Sequence, residues 1–492
     1  MLSRLTLALL LSSVILTGCD KAPPGTAASG NTAALSVSTA IPQYSAEQFF
    51  ATKAYMGNDI NHNASALLVA SDESGVFNLY RVSLDGKDWQ PLTQSVTDPA
   101  FPVGWFPHDD RLLYTADQGG NELNHIYLRE VDGTVRDLTP GDKLKAAFAG
   151  WHDDGSFFIT SNERDARFFD LYHYNATDYS RKLVYENNDG YSIDAVSKNG
   201  RYLALSKERN NADNNLFLID LQAKEPTATL LTQHDGNISH NVYGFTPDSS
   251  TLLFGTDGNS EFVEAYRYNL ASGETSPYSQ ADWDISFIYF SDDNKYQVQG
   301  INADASTVIS ITEQQSGQSL QLPPLPAGDL RGITFSADSR YLSFYLNADN
   351  SPSNLYVWKL GDSQAQRLTQ ALDSSIDESN LVQSRVVRYN SFDDLTIPAL
   401  LYQPKQASAT AKVPALIWIH GGPGGQSRTG YSPVVQHLVN QGYAVLAVNN
   451  RGSSGYGKTF FHLDDLRHGE DDLQDIVYGK KYLQSLDWVA AD

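Results

Sequence analysis

Bulky apolar residues recur through the middle of this 492-residue chain at nearly constant intervals. Each is followed by a polar turn of Asp, Asn, Gly or Ser and then by a short apolar stretch such as RYLALSKE. Alternation of apolar and polar residues in such stretches is typical of half-buried β-strands. The first set of anchors lies at intervals of 45 to 49 residues and consists of Ile60, Trp105, Trp151, Val196, Phe245, Phe290 and Phe335.

A second set of anchors keeps the same register, at intervals of 43 to 49 residues, and several units end in Leu-Thr, as at Leu92-Thr93. A unit of about 45 residues with several short strands has the size of a propeller blade, and a blade buries its faces only against neighbouring blades. We therefore predict an all-β, seven-bladed β-propeller over residues 57–373. A β-sandwich and a ring of six or eight blades are the alternatives. The second set of anchors is Tyr80, Tyr127, Tyr172, Phe217, Tyr266, Ile309 and Tyr356.

The pattern changes after the last predicted blade. Residues 385–404 predict a hairpin around Asp393-Asp394, although Asp-Gly is the more usual turn. Residues 413–420 and 443–449 are nearly continuous apolar strands, and residues 432–440 between them have a helical pattern. Strands that are apolar on both faces and joined by a helix predict a parallel sheet covered by helices. Residues 385–492 are therefore predicted to begin an α/β domain.

A glycine-rich loop, HGGPGG, joins the first of these strands to the helix. Glycine allows a backbone to approach a substrate closely, because it has no Cβ atom. In an α/β-hydrolase, amides in this place donate hydrogen bonds to the oxyanion of the attacked carbonyl, and one donor contributes roughly 2.7–4 kcal/mol. Gly421 and Gly422 are the candidate oxyanion donors. A strand-to-helix turn without a ligand is the alternative, and the loop lacks the pattern of a phosphate loop.

The N-terminus has the pattern of an export signal. Arg4 precedes an apolar stretch too short to span a membrane, and Leu16-Thr17-Gly18-Cys19 resembles the lipobox of bacterial lipoproteins. We expect residues 1–19 to be a signal peptide and Cys19, the chain's single cysteine, to carry a lipid that anchors the protein to the cell envelope, facing the periplasm. Asp20 favours the inner membrane. Residues 20–43 are predicted to be a flexible tether, and residues 44–56 a short lead-in segment.

Net charge and the spacing of histidines exclude some classes of partner and ligand. The chain has 35 basic and 58 acidic residues, a formal net charge of −23, and therefore repels nucleic acid phosphates. Its histidines show neither the H-E-x-x-H spacing nor another paired spacing of a metal site. We predict no nucleic acid partner, no metal site and no cofactor.

Three motifs resemble those of one enzyme family: HGGPGGQS at residues 420–427, NNRGSSGYGKTF at 449–460 and HGEDDLQDI at 468–476. With the predicted propeller, they resemble the prolyl oligopeptidase family of serine peptidases, especially its acylaminoacyl-peptidase and dipeptidyl-peptidase-like branches. The resemblance implies hydrolysis of short peptides by acyl transfer and a propeller that selects substrates by size. It implies an oxyanion amide on Gly421 or Gly422, and an architectural role for the other two motifs, in which Arg451 braces the active-site loops.

The family's nucleophile is a serine in a G-x-S-x-G turn, followed by Asp and then His. The 492 residues contain no G-x-S-x-G, and Ser427, Ser453 and Ser454 do not fit the pattern. We therefore expect an incomplete α/β-hydrolase domain with no catalytic residue of the triad. The triad would lie beyond Asp492, and the chain alone would be inactive. The strand over residues 415–420 would then expose an unpaired apolar edge. The alternatives are a non-catalytic propeller lipoprotein that binds a periplasmic partner and an esterase with the same fold.

Overall fold

A computed structural model describes residues 41–422 and 424–491 of the chain. Cys19, the signal sequence and most of the tether lie outside these residues, so the anchor remains a prediction. The described chain begins with the short helix α1 (Ala46–Phe50), which Ser45 caps together with the Gln48 side chain. Among the described residues, no helix combines the length and the apolar character that crossing a bilayer requires.

Seven antiparallel sheets follow α1, each with its strands in chain order. Blades one to three comprise β1 (Tyr55–Ile60), β2 (Ala66–Ser71), β3 (Asn78–Ser83), β4 (Trp89–Pro91), β5 (Ala100–Trp105), β6 (Leu112–Ala116), β7 (His125–Arg129), β8 (Val135–Asp137), β9 (Ala146–Trp151), β10 (Phe157–Asp165), β11 (Phe168–Tyr174) and β12 (Arg181–Tyr185). Blades four and five comprise β13 (Ser192–Val196), β14 (Tyr202–Asn210), β15 (Asp213–Asp220), β16 (Thr229–Leu230), β17 (His240–Phe245), β18 (Thr251–Thr256), β19 (Glu264–Asn269) and β20 (Thr275–Ser279). Blades six and seven comprise β21 (Asp284–Phe290), β22 (Tyr296–Ala303), β23 (Ser306–Glu313), β24 (Asp329–Phe335), β25 (Tyr341–Ala348), β26 (Ser351–Lys359) and β27 (Gln366–Arg367).

The seven-bladed propeller predicted from the repeats is confirmed. Every residue of the first anchor set is the last residue of a blade's first strand, and every residue of the second set lies in a third strand. The Leu-Thr pairs also have a structural role. The hydroxyl of Thr93 accepts a hydrogen bond from the amide of Leu79 at 2.8 Å, and Thr232 does the same for Leu216 at 2.8 Å. These hydroxyls continue the β-ladder where the fourth strand ends.

The sixth blade differs from the others in having three strands. Its chain continues beyond β23 with the sequence LQLPPLPAGD, and pairing there is reduced to a single bridge between Thr312 and Ser319. Proline has no amide proton to donate to a ladder, so three prolines within four residues prevent a regular fourth strand. The interval between the apolar anchors is kept in this blade, but the interval alone did not predict that the blade has only three strands among the described residues.

The ring closes through side chains between the first and seventh blades, and no described strand is exchanged between them. Ser343 donates a hydrogen bond from its hydroxyl to the carbonyl of Asn58 at 2.7 Å, and Tyr345 donates to the carbonyl of Gly57 at 2.6 Å. A shared apolar core lies beneath these contacts and comprises Ile60, Leu67, Val69, Val82, Tyr345, Leu355 and Val357.

One acid between the first two blades makes the stability of the ring depend on pH. Burial raises the pKa of the Asp59 carboxyl from 3.8 to about 7, although its Oδ2 accepts a hydrogen bond from the amide of Trp105 at 2.7 Å. Between these two pH values the folded chain holds a proton that the unfolded chain has released. The free energy of unfolding therefore falls as pH rises from about 4 to about 7.

We predict that Asp59→Asn is more stable than the parent chain at pH 8, by on the order of 4 kcal/mol, and nearly equal to it in stability at pH 4. The amide oxygen of asparagine can still accept the Trp105 hydrogen bond, so the substitution removes only the titration. Urea unfolding at several pH values measures this difference. A stability difference that is the same at pH 4 and pH 8 would contradict the assignment.

Residues 385–491, the hydrolase-like segment, form one four-stranded sheet with the order β28-β29-β31-β30. Its elements are β28 (Arg385–Asn390), β29 (Thr396–Tyr402), β30 (Ala415–Ile419), α2 (Pro433–Asn440), β31 (Ala444–Val448), α3 (Lys458–Phe461), a 3-10 turn (His462–Asp464) and α4 (Asp471–Gln484). A second 3-10 turn (Glu378–Asn380) precedes the segment and follows the last blade. The predicted hairpin, the two apolar strands and the helix between them are confirmed. The parallel pairing predicted for the two apolar strands is confirmed, since β30 and β31 are parallel. The sheet as a whole is mixed, because β29 pairs with both β28 and β31 in antiparallel fashion.

Strand β30 lies at the edge of this sheet, as the sequence predicts, and pairs only with β31 among the described strands. All five residues of β31 are buried, with α2 packed on one face and α4 on the other. By contrast, Trp418 is 40% exposed and Ile419 is 55% exposed. The sheet is therefore covered at its centre and open at the edge from which the glycine-rich loop begins.

The lead-in segment packs against the hydrolase-like segment. The Tyr44 amide donates to the side-chain oxygen of Asn440 in α2 at 2.8 Å, and the ring of Phe49 meets the ring of His437 edge-on at 5.6 Å. Phe49 is fully buried in a cluster with Leu372 and Leu381, which follow the last blade. The segment before the first blade therefore packs together with the segment that follows the last blade.

Candidate functional site

The glycine-rich loop leaves β30 and exposes two amides. Gly421 and Gly422 are both exposed, and no described residue accepts a hydrogen bond from the N–H group of either. Apart from Gly421 itself and its two chain neighbours, no described residue has an atom within 4 Å of the position that a Cβ atom on Gly421 would occupy. An unpaired, accessible amide pair is the arrangement that an incoming oxyanion requires.

Gly425 holds the loop in this shape by close approach. A Cβ atom at this position would lie 2.0 Å from the carbonyl oxygen of Gly421 and 2.6 Å from Nδ1 of His420. The loop therefore folds back on its own start, with only a hydrogen atom between the two backbone segments.

We predict that Gly425→Ala destabilises the chain by about 1–3 kcal/mol, because the loop must shift to admit a methyl group. Gly421→Ala is the matched control, since the same methyl group meets open space, and its effect should be within about 0.5 kcal/mol. Urea unfolding compares the two variants. Equal stability of the two variants would show that the tight turn does not exist.

The end of the loop is fixed to the sheet and the last blades. The amide of Ser427 donates to the side-chain oxygen of Asn449 at 2.6 Å, directly after β31. Arg428 donates hydrogen bonds to Asn302 and to the hydroxyl of Thr307, both in the sixth blade. Burial lowers the pKa of Arg428, whose hydrogen-bond partners are all neutral side chains. The sixth blade thus helps to set the position of the loop.

Asp349 of the seventh blade makes the densest contact between the two parts of the chain. It is buried, and its Oδ1 accepts from the amide of Gly430 at 2.9 Å and from the hydroxyl of Tyr402 at 3.0 Å. Its Oδ2 accepts from the amide of Ser384 at 2.9 Å and from the Ser384 hydroxyl at 2.6 Å.

We predict that Asp349→Ala lowers the free energy of unfolding by about 2–4 kcal/mol, because four donors lose their acceptor in a buried place. Asp362→Ala in the same blade is the matched control, since Asp362 is exposed and its hydrogen bonds to described residues all involve its backbone. Urea unfolding measures both. Similar small losses of unfolding free energy in the two variants would contradict the role of Asp349 in joining the seventh blade to the hydrolase-like segment.

A buried ion-pair network fixes the turn after β31. Arg451 is 3% exposed and donates to Asp475 in α4, which is fully buried, and to Asp393 in the β28–β29 turn. Burial would lower the pKa of Arg451, but the hydrogen bonds to Asp475 and Asp393 raise it, and the same pair lowers the pKa of Asp393. Arg451 therefore ties the turn, the hairpin and the helix together.

His420 and Ser453 lie close together without forming a catalytic pair. Nε2 of His420 is 2.9 Å from Oγ of Ser453, and Ser453 donates its hydroxyl proton to the carbonyl of Asn450 at 2.6 Å. Ser453 is fully buried, and a nucleophile must instead give its proton to the base and reach the substrate. Ser427 is also buried, with its hydroxyl 3.3 Å from the carbonyl of Val448. Both serines are structural.

The loop opens into a cleft of about 440 Å³ between the end of β30, the turn after β31 and the start of α4. Gly422 and His420 line one side, and Asp464, His468 and Asp472 line the other. Asp471 and Asp472 occupy the first turn of α4, where the helix dipole favours acids. Burial raises the pKa of Asp464. The convergence of the HGEDDLQDI motif on the glycine-rich loop was not apparent from the sequence.

Two family models match the chain. The prolyl oligopeptidase N-terminal β-propeller domain matches residues 102–319, and the prolyl oligopeptidase family matches residues 429–492. Dipeptidyl aminopeptidase BIII of Pseudoxanthomonas mexicana is 27% identical over 484 residues, which cover 90% of this chain and 67% of that protein. Prolyl endopeptidase of Elizabethkingia miricola is 20% identical, with 77% of this chain and 55% of that protein covered.

Solved structures agree on the fold. A puromycin hydrolase superposes with a TM-score of 0.73 at 14% identity, covering 91% of this chain and 74% of that one. A prolyl endopeptidase superposes with a TM-score of 0.72 at 14% identity, covering 90% of this chain and 68% of that one. This chain thus spans about two thirds of the first relative and less of several others, among them 58% of dipeptidyl peptidase family member 6 of Caenorhabditis elegans. The propeller, the loop with its two free amides and both family matches place this chain in the prolyl oligopeptidase family of serine peptidases.

Proposed function

We propose that this chain supplies the propeller and the oxyanion loop of a serine peptidase that cleaves short peptides by acyl transfer. The observation that carries the proposal is the pair of exposed, unpaired amides on Gly421 and Gly422 at the open edge of the sheet. A module that only binds a partner has no need of such donors, and this disfavours the alternative of a non-catalytic propeller lipoprotein.

The catalytic serine, aspartate and histidine are not among these 492 residues under this proposal. The two buried serines beside the loop are held by structural hydrogen bonds, and no described strand pairs with the outer edge of β30, beside which a further strand can pair. The chain taken alone is therefore expected to be inactive, and the enzyme is expected to require a strand that carries the nucleophile against β30.

The propeller is expected to act as a size filter. The proposal is supported by hydrogen bonds from the last two blades to Arg428 and Gly430, which directly follow the oxyanion loop. Peptide amides of two to four residues should be cleaved by the protein made from the complete source gene, and a folded protein substrate should not. Cleavage of simple esters with no cleavage of peptide amides would favour the esterase alternative and contradict the proposal.

We further propose that a lipid on Cys19 anchors the protein to the bacterial envelope, facing the periplasm. The proposal rests on the lipobox-like sequence and on the tether that precedes the folded body. In a bacterial host, the parent protein should fractionate with membranes and Cys19→Ser with the soluble periplasmic fraction. Recovery of the Cys19→Ser protein in the membrane fraction would contradict the lipid anchor.

A further inference from the structure

Three potential metal-binding side chains meet in the cleft. Asp464 ends the 3-10 turn that follows α3, His468 lies in the connection to α4, and Asp472 is in the first turn of α4. Their ligand atoms all lie within 4.8 Å of one another, and Nδ1 of His468 is 3.0 Å from Oδ2 of Asp464. Ligands of a tetrahedral zinc ion at about 2.1 Å are roughly 3–4 Å apart, so a small contraction closes this group around an ion.

Asp464 has too few partners for a buried carboxylate. The side chain of Asp464 is 8% exposed, and its close polar contact is with His468. Apart from His468, no described residue donates a side-chain or backbone hydrogen bond to the Asp464 carboxylate from elsewhere in the chain. Buried carboxylates are ordinarily satisfied by several donors or bound to a metal. Asp464 lines the cleft together with His468 and Asp472, whose ligand atoms lie within 4.8 Å of its own.

The turn after β31 is shaped to admit this carboxylate. A Cβ atom on Gly452 would lie 2.1 Å from the Asp464 carboxyl carbon, so the carboxylate rests directly on the glycine backbone. Gly452 has a φ of 89°, a conformation that favours glycine. The acid is therefore held in place by the fold and is not a surface side chain that happens to lie nearby.

The adjacent arginine is paired with other acids, which leaves the three side chains in the cleft available to a cation. Arg467, the nearest arginine in the chain, contacts Asp471 at 2.7 Å and Glu470 at 3.3 Å. In Asp472, Oδ1 accepts from the amides of Gly469 and Leu473, both at 2.8 Å, and no described donor contacts Oδ2.

We propose that Asp464, His468 and Asp472 form a binding site for a divalent transition-metal ion, with Zn²⁺ as the best match. One imidazole and two carboxylates suit zinc better than calcium or magnesium, which prefer ligand sets made of oxygen alone. The ion would join the Gly452 turn to the start of α4, on the wall of the cleft opposite Gly422. Its remaining coordination position would face the cleft. The sequence spacing of four residues between ligands did not predict this site, because the intervening turn is irregular.

Calorimetric titration of the metal-free chain with Zn²⁺ at pH 7.5 tests the proposal. We expect one ion per chain in this site, and we expect His468→Gln and Asp464→Asn each to weaken its affinity by roughly tenfold or more. His462→Gln is the matched control. His462 lies on the same segment and contacts one carboxylate, Asp465 at 2.7 Å, but it has no place in the three-residue group.

Asp472→Asn provides a second test that preserves the fold, because the amide oxygen can still accept from Gly469 and Leu473. We expect it to weaken zinc binding while its circular dichroism stays unchanged. Absence of stoichiometric zinc binding in the parent chain would overturn the proposal. So would zinc affinity that is unchanged in His468→Gln and Asp464→Asn. The measurement needs no peptidase activity, so its outcome is independent of the proposed function.

Discussion

Replacement of Arg451 by methionine is expected to lower the free energy of unfolding by about 3–5 kcal/mol. Methionine fills much of the space of the arginine stem, so the loss comes from charge. Asp475 is fully buried and receives hydrogen bonds from both the side chain and the amide of Arg451, and Ser391 would become its main remaining side-chain donor. Removing the guanidinium leaves a buried carboxylate without its counter-ion. Urea unfolding monitored by tryptophan fluorescence measures the loss.

Two further variants distinguish the loss of this buried ion pair from the effect of removing any arginine. Arg467→Met removes an arginine whose side chain is 53% exposed, and surface ion pairs contribute up to about 1 kcal/mol. The double variant Arg451→Met with Asp475→Asn should be more stable than Arg451→Met alone, because the uncompensated charge is gone. If Arg451→Met is no worse than Arg467→Met, the buried network does not brace the segment.

The second large effect is on catalysis by the protein made from the complete source gene. Gly422→Pro removes one of the two candidate amide protons, and we expect a fall in kcat of about 10²–10³-fold if that amide is the oxyanion donor. Gly421→Pro tests the other amide in the same way. At least one of the two variants should show the fall in kcat, with a smaller change in KM, because the lost hydrogen bond forms mainly in the transition state.

Gly421→Ala is the control for these variants. It keeps both amide protons, and beyond the adjacent residues its methyl group meets no described atom within 4 Å. It should retain most of the parent kcat. Unchanged kcat in both proline variants would contradict the assignment of this loop, whereas an equal loss in the alanine control would point to a disturbance of the loop shape.

The propeller was predictable because its signal is local and repeated. Each blade buries the same positions against its neighbours, so Trp105, Trp151 and their equivalents mark strand ends at a fixed period. The three-stranded sixth blade was not predicted, because the prolines after Leu322 act on hydrogen bonding and leave the spacing of apolar anchors intact.

The candidate site was predictable only in part. The glycine pattern predicted the loop and its two candidate amides, since close backbone approach needs glycine wherever it occurs. The contacts that position the loop join residues far apart in the chain, such as Asp349 with Gly430 and Arg428 with Thr307. Contacts at such separations produce no periodic pattern in the sequence. The antiparallel pairing of β29 with both of its neighbours also joins distant residues and was not predicted for that reason.

Labelling with a fluorophosphonate, which reacts with an activated serine, tests the central claim most directly. The probe is applied to the 492-residue chain and to the protein made from the complete source gene, and the labelled serine is located by mass spectrometry. We expect one labelled serine in the complete protein, outside residues 1–492, and no labelling of the 492-residue chain. Labelling of Ser427, Ser453 or Ser454, or no labelling of the complete protein, would contradict the account.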